Sequence, residues 1–362
     1  MPEYSHTEST ALSTDVNNNP VVESAGHGNA SDEVAPPQRF NIALALAKPF
    51  KGLSSASENN LHKASRCGDC NWILRCLLQN CRNDENDDES PRDGGSTAPD
   101  INERNRLGAS PLWLASLMGH ADAVELLIKH GADLETEDIK GQTPLFAATK
   151  FNHVECVRIL LQAGAKPDGS DTNISTPIYV TARDNYPDVM DLLISYGADV
   201  NGRHGKHTPG DVRGDYPGNL PIYMTLVYRH FECFRHLVKG GADLCLPPSL
   251  NGAGGSTSLL CGALRYMCDV RYTELLSLCG GLVQHHEEIS ELIRMYRTSG
   301  RTRTREETLE YLEEWNCNPM KLSDLTRIVI RHNMGQQRMR FITSLSLPKR
   351  LQDFLSLRLL ET

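Results

Sequence analysis

Cys67-Gly68-Asp69-Cys70 is the segment whose residue types most suggest chemistry, because a CxxC pair followed by Cys76 and Cys81 offers thiolates to a zinc ion. No histidine pair completes the usual ligand spacing, and Gly68-Asp69 falls where two short helices would turn, so free thiols are expected. His285-His286-Glu287-Glu288 lacks the i, i+4 histidines of a zinc-protease helix and reads as a solvated helix start. Arg297, Arg301, Arg303 and Arg305 alternate with Thr and Ser, which suits a phosphorylation or acidic-partner site less well than a solvated linker. No local motif marks a Ser-His-Asp or Cys-His constellation. Accordingly no catalytic residue, cofactor or metal is expected.

Composition narrows the classes further. The 362-residue chain carries a formal net charge of −9, which argues against nucleic acid as the main ligand, since neutralising phosphates needs a basic face. The charge is uneven: residues 83–100 carry seven carboxylates against Arg92, whereas residues 321–362 hold eight Lys or Arg against three Asp or Glu. Eleven cysteines, an odd number scattered through helical patterns without a secretory signal, point to thiols in a reducing compartment. The apolar run at 42–47, within 40–50, falls far short of the ~20 residues that cross a bilayer. A soluble, cytoplasmic protein without membrane contact is expected.

The elements that would position any site repeat. Ser110-Pro111-Leu112, Thr143-Pro144-Leu145 and Thr176-Pro177-Ile178 place their prolines 33 residues apart, and Gly131-Ala132-Asp133, Gly164-Ala165-Lys166 and Gly197-Ala198-Asp199 keep the same register. That period is the signature of ankyrin repeats, which stack into a solenoid with an extended binding surface. Within residues 141–168, Thr143 can cap a helix whose first residue, Pro144, has no N–H to lose. Asn152-His153 makes the connection, Val154, Val157, Leu160 and Leu161 form the apolar stripe of a second helix, and Gly164 ends it.

Outside the three clear units the register continues with insertions. Leu220-Pro221-Ile222 opens another unit after an insertion near 202–218, and Asn60-Leu61-His62-Lys63-Ala64 opens one upstream of an insertion near 81–103. A degenerate last unit covers about 256–283. The expected organisation is a disordered tail (1–38), a lead-in segment (39–59), about six repeats (60–284), a helical connector (285–317) and a C-terminal block (318–362). Exposed repeat tips are candidate contacts for a protein substrate, at Glu137, Asp138, Lys140, Asp171 and Asn173, because loops on a rigid scaffold commonly bind.

In the C-terminal block, Leu322, Thr326 and Ile330 lie at i, i+4 and i+8, flanked by Leu325 and Val329, with Asp324, Arg327 and Arg331 on the opposite face and Gly335 as a stop. A helix this short is marginal alone, so its apolar face must be buried against something. Pro348 suits the start of a closing helix with Leu351, Phe354 and Leu355 inward. The block resembles a SOCS box: Leu322, Leu325, Arg327, Ile330 and Arg331 fit the elongin-binding pattern, with Thr326 in place of the usual Cys and Lys321 in place of a small residue or proline. Leu345-Ser346-Leu347-Pro348 stands where the family has the cullin-selecting Leu-Pro-x-Pro, with Ser346 replacing the first proline.

Ankyrin repeats followed by a SOCS box resemble the ankyrin repeat and SOCS box (ASB) family over residues 60–362. The resemblance implies an all-α fold, an ankyrin solenoid ending in a small three-helix SOCS box. It also implies a non-catalytic substrate receptor of an elongin–cullin–RING ubiquitin ligase. Leu322, Leu325, Thr326, Val329 and Ile330 would dock on elongin C, with elongin B behind it. Leu345, Ser346, Leu347 and Pro348 would meet a cullin, the fifth, with its RING subunit. An unidentified protein held by the repeats would be ubiquitinated and degraded. The competing expectation is a plain scaffold whose C-terminal helices only cap the solenoid.

Overall fold

The computed structural model describes residues 59–78, 100–202, 219–244, 258–282, 286–298, 303–318, 320–339 and 341–357. The expected tail (1–38) and the lead-in (39–59) as far as residue 58, the acidic run to residue 99, the insertion at 203–218, and Cys81, His285 and Arg301 lie outside them.

Local chemistry sets the repeats. Ser110, Thr143 and Thr176 each adopt extended backbone and accept a hydrogen bond from the amide three residues on, and each is followed by a proline that opens the helix. The helix pairs are α1 (Asn60–Cys67) with α2 (Cys70–Leu78), α3 (Pro111–Met118) with α4 (Ala121–Lys129) and α5 (Pro144–Lys150) with α6 (Val154–Gln162). They continue as α7 (Pro177–Asp184) with α8 (Pro187–Ser195), α9 (Pro221–Val227) with α10 (Phe231–Lys239) and α11 (Leu259–Arg265) with α12 (Val270–Cys279). Among the described residues the elements are helical. Each first helix packs on the first helices of its neighbours, and the second helices do the same, which is solenoid stacking.

Side chains lock one repeat to the next. The Nε2 of His120 lies 3.0 Å from the carbonyl of Arg66, and that of His153 lies 3.0 Å from the carbonyl of Leu117. Along the loops, Asn102 accepts from the Asp133 amide, Glu135 from the Lys166 amide and Asp168 from the Asp199 amide. Gly68 turns α1 into α2 with φ +71, and the ring of His120 stands where its Cβ would be, so only glycine fits.

Beyond the repeats come α13 (His286–Thr298), α14 (Arg303–Cys317), α15 (Leu322–Met339), a 3₁₀ turn (Ile342–Ser344) and α16 (Lys349–Leu355). One continuous core runs from Leu61 through the repeats to Leu292 and Leu312, and Leu357 re-enters it from the C-terminal side. Both α14 and α15 pack on α12, so the last repeat is the platform for everything that follows.

Candidate protein-docking site

Helix α15 turns its apolar row away from the rest of the chain. Leu322 is 79 % exposed, Val329 56 % and Leu325 38 %, and at i, i+3 and i+7 they form one continuous stripe. Thr326 is exposed beside them, and its hydroxyl donates to the Leu322 carbonyl at 2.7 Å, which satisfies it locally. Ile330 departs from the expectation that it shares this face. It is half-buried in a small second core of Met339, Ile342 and Leu355, joined by Met334, Leu347 and Phe354. Gly335, with φ 67 and ψ 170, breaks the helical path at the expected stop, and a further helical stretch beyond it brings Met339 into that core.

The charged face of α15 is the inner one. Arg327 and Arg331 are each 8 % exposed, whereas the apolar residues opposite them face water. The guanidinium of Arg327 pairs with Asp324 and lies 4.4 Å above the Phe354 ring centroid, a cation–π geometry. Arg331 donates one N–H to the Leu355 carbonyl and another to the Val238 carbonyl, both at 2.7 Å. Those carbonyls belong to the last turns of α16 and α10, at the negative ends of the helix dipoles, and the Val238 carbonyl also accepts from the Gly241 amide at 3.1 Å. Burial pushes Arg331 below the ordinary arginine range, the Cys279 thiol opposes this and Arg327 adds to it. Burial likewise pushes the Cys279 thiol up, against the pull of the two guanidinium groups. Next to them Gly280 ends α12 with φ +89, and a Cβ there would meet Ile328 Cγ2 at 2.7 Å, so α15 lies directly on the glycine.

In the second segment, Leu345, Ser346 and Pro348 are exposed and Leu347 is half-buried in the small core. The amide of Gln352 donates to the carbonyls of Leu345 (2.7 Å) and Leu347 (3.1 Å), holding this stretch as a fixed extended turn before α16. Leu351, expected to point inward, is 39 % exposed; the inward places on α16 are taken by Phe354 and Leu355.

At the repeat tips the expected contact residues divide. Asp138 is buried, with its carboxylate accepting from the amides of Lys140 (2.9 Å) and Gln142 (2.8 Å), and Asn173 is buried with its side-chain oxygen on the Ser175 amide. Both therefore correct the expectation: they build the turns, as Asx side chains do, and offer nothing outward. Glu137 bridges to the next repeat, where hydrogen bonds from Ser170 and then Thr172 hold its carboxyl below the usual range. Lys140 and Asp171 stay exposed. Alongside them stand Leu107, Ile139 and Ile174, at 40, 65 and 54 % exposure, which the sequence reading passed over. Three large apolar residues at corresponding tips of otherwise polar loops were the available signal.

At the CxxC segment, Cys67 is exposed, Cys70 is half-buried and burial pushes its thiol up. Among the described residues no three His, Cys, Asp or Glu side chains converge as a metal site, and no helix is long and apolar enough to cross a membrane.

A helix-pair solenoid whose last repeat carries a box presenting an apolar row defines the class: an ankyrin-repeat adaptor with a SOCS box, the substrate-recognition component of a cullin–RING ligase. Comparison with known families agrees, with ankyrin repeats (three copies) matched at residues 61–171, a further ankyrin repeat at 173–204 and a SOCS box at 318–356. The chain is 39 % identical to mouse ankyrin repeat and SOCS box protein 1 over 326 residues, covering 84 % of this chain and 89 % of the relative. It is 40 % identical to the human protein of the same name over 323 residues, with 84 % and 90 % covered. Among solved structures it is similar to the ankyrin-repeat domain of human ASB11, at 21 % identity and TM-score 0.45, over 60 % of this chain and 82 % of that one. The chain belongs to the ankyrin repeat and SOCS box family, with member one among its relatives.

Proposed function

We propose that this chain delivers a bound protein to an elongin B/C–cullin–RING ligase for ubiquitination and proteasomal degradation, and that it performs no chemistry itself. The observation that carries the reading is the exposed row Leu322, Leu325 and Val329 on a helix whose arginine face is buried. An apolar stripe kept in water by the fold is the mark of a docking surface. On this reading Leu322, Leu325, Val329 and Thr326 meet elongin C, with elongin B behind it, and Ile330 supports the row from beneath. Leu345, Ser346 and Pro348 face the cullin, the fifth of that family, with its RING subunit. The target protein lies along the repeats, with Lys140, Asp171 and the exposed apolar tips as contacts. Catalysis is then proximity, the holding of a target lysine near an activated ubiquitin thioester. The setting is the cytoplasm.

Co-purification from cells tests this. Wild type should bring down elongin B, elongin C and a cullin together with a target, and Leu322→Asp should lose the ligase subunits while keeping the target. Equal recovery of elongin B/C by both would overturn it.

A further inference from the structure

We infer that Arg331 is the positioning residue that sets the angle between the target-holding repeats and the ligase-docking helix. This rests on the proposed function, and it assigns to one side chain a task that the docking row alone cannot perform. Bringing a target lysine to a thioester depends on distance and direction, so a receptor needs a stiff joint between its two ends. The joint here is short. Arg331 sits on α15, and its two N–H donors reach units on either side of it, the Leu355 carbonyl of α16 and the Val238 carbonyl of α10 in the fifth repeat.

The chemistry suits a fork and little else. Among the described residues no carboxylate pairs with Arg331; its charge is met by carbonyls at the ends of two helices. A planar guanidinium with rigid donors reaches both at once, and a lysine ammonium of similar length reaches one at a time. The contact is also insulated from docking. Arg331 is 8 % exposed, on the side of α15 opposite Leu322 and Val329, so altering it leaves the docking row chemically intact. Gly280 and Ile328 bring α15 onto α12 of the sixth repeat but hold it by shape. Among the described residues, only Arg331 ties α15, α16 and the fifth repeat through directional bonds.

The test is the distribution of distances between labels at Lys129 on α4 and Lys349 on α16, both exposed, measured by double electron–electron resonance on the full chain, free and bound to elongin B/C. Wild type should give one narrow distribution. Arg331→Met should widen it by roughly twofold or more, and Arg331→Lys, which keeps the charge and loses the fork, should fall between. Elongin B/C affinity should change by less than about fivefold in both variants, since neither touches the docking row. Where Arg331→Met does not fold, Arg331→Lys decides alone. An unchanged width in folded Arg331→Lys and Arg331→Met would overturn the inference and leave the adaptor reading standing. Failure of wild type to bind elongin B/C would defeat the adaptor reading, while the free chain would still report on the joint.

Discussion

Replacing Gly280 with alanine is expected to loosen the seat of α15 on the last repeat by an amount that can be worked from geometry. Gly280 has φ +89, a conformation that costs an L-residue about 1–2 kcal/mol. The added Cβ would lie 2.7 Å from Ile328 Cγ2, which real side chains do not tolerate. Relieving the overlap means moving α15 or forcing Ile328 off its rotamer, worth about 1–3 kcal/mol. The lower entropy of the unfolded alanine chain returns about 0.5–1 kcal/mol, leaving a net loss of about 1–4.5 kcal/mol. Urea unfolding followed by circular dichroism reads the total, and a double-mutant cycle separates its parts. Ile328→Ala removes the clashing atoms, so the pair should lose less than the sum of the singles, with a coupling of about 1 kcal/mol or more. A Gly280→Ala cost below about 0.5 kcal/mol, or singles that add within about 0.3 kcal/mol, would refute the close approach of α15 to α12.

Two further outcomes are expected. Burial first, and then the neighbouring His120, hold His153 below its ordinary value, while the Leu117 carbonyl pulls it up. The unfolded chain therefore binds this proton more tightly, so the stabilisation is complete above about pH 6.5 and declines as pH falls through that value toward the lower folded-state pKa. Urea midpoints between pH 7.5 and 5.5 should fall more for wild type than for His153→Gln, and parallel curves would contradict this. Thr326→Cys removes a hydroxyl that is satisfied by the Leu322 carbonyl and leaves a softer, less polar atom on the docking face. Elongin B/C binding by calorimetry should tighten by roughly two- to fourfold, about the worth of one buried methylene or less; weaker binding would show that the threonine makes a partner contact of its own.

Much of the solenoid was legible because its signals are local. Thr143, Pro144, Asn152 and Gly164 each act within one repeat, and the structure has Thr143 capping, Pro144 opening its helix, and Asn152 and Gly164 at positive φ. The orientation of α15 was not legible. Its period separates an apolar from a charged face, but periodicity cannot tell burial within the chain from burial by another protein. Arg327 and Arg331 compounded this, because a guanidinium satisfied by a ring face or by helix-end carbonyls leaves no mark in the sequence that distinguishes it from a solvated one. Asp138 and Asn173 were open to a better reading. An Asx side chain facing the amide two residues on, and for Asp138 also the one four residues on, builds a turn, and that chemistry was available from residue type and spacing alone.

The reading of α15 stands on a handle that faces water in the free chain and is covered only by a partner. Its most direct test is calorimetric titration of elongin B/C into wild type and Leu322→Ala, with the melting temperature of each free protein taken alongside. Leu322 is 79 % exposed, so its truncation should leave the melting temperature of the free chain unchanged. In the complex the lost leucine should cost about 1.5–3 kcal/mol, a weakening of roughly ten- to a hundredfold. A lowered melting temperature with undiminished binding would contradict the account.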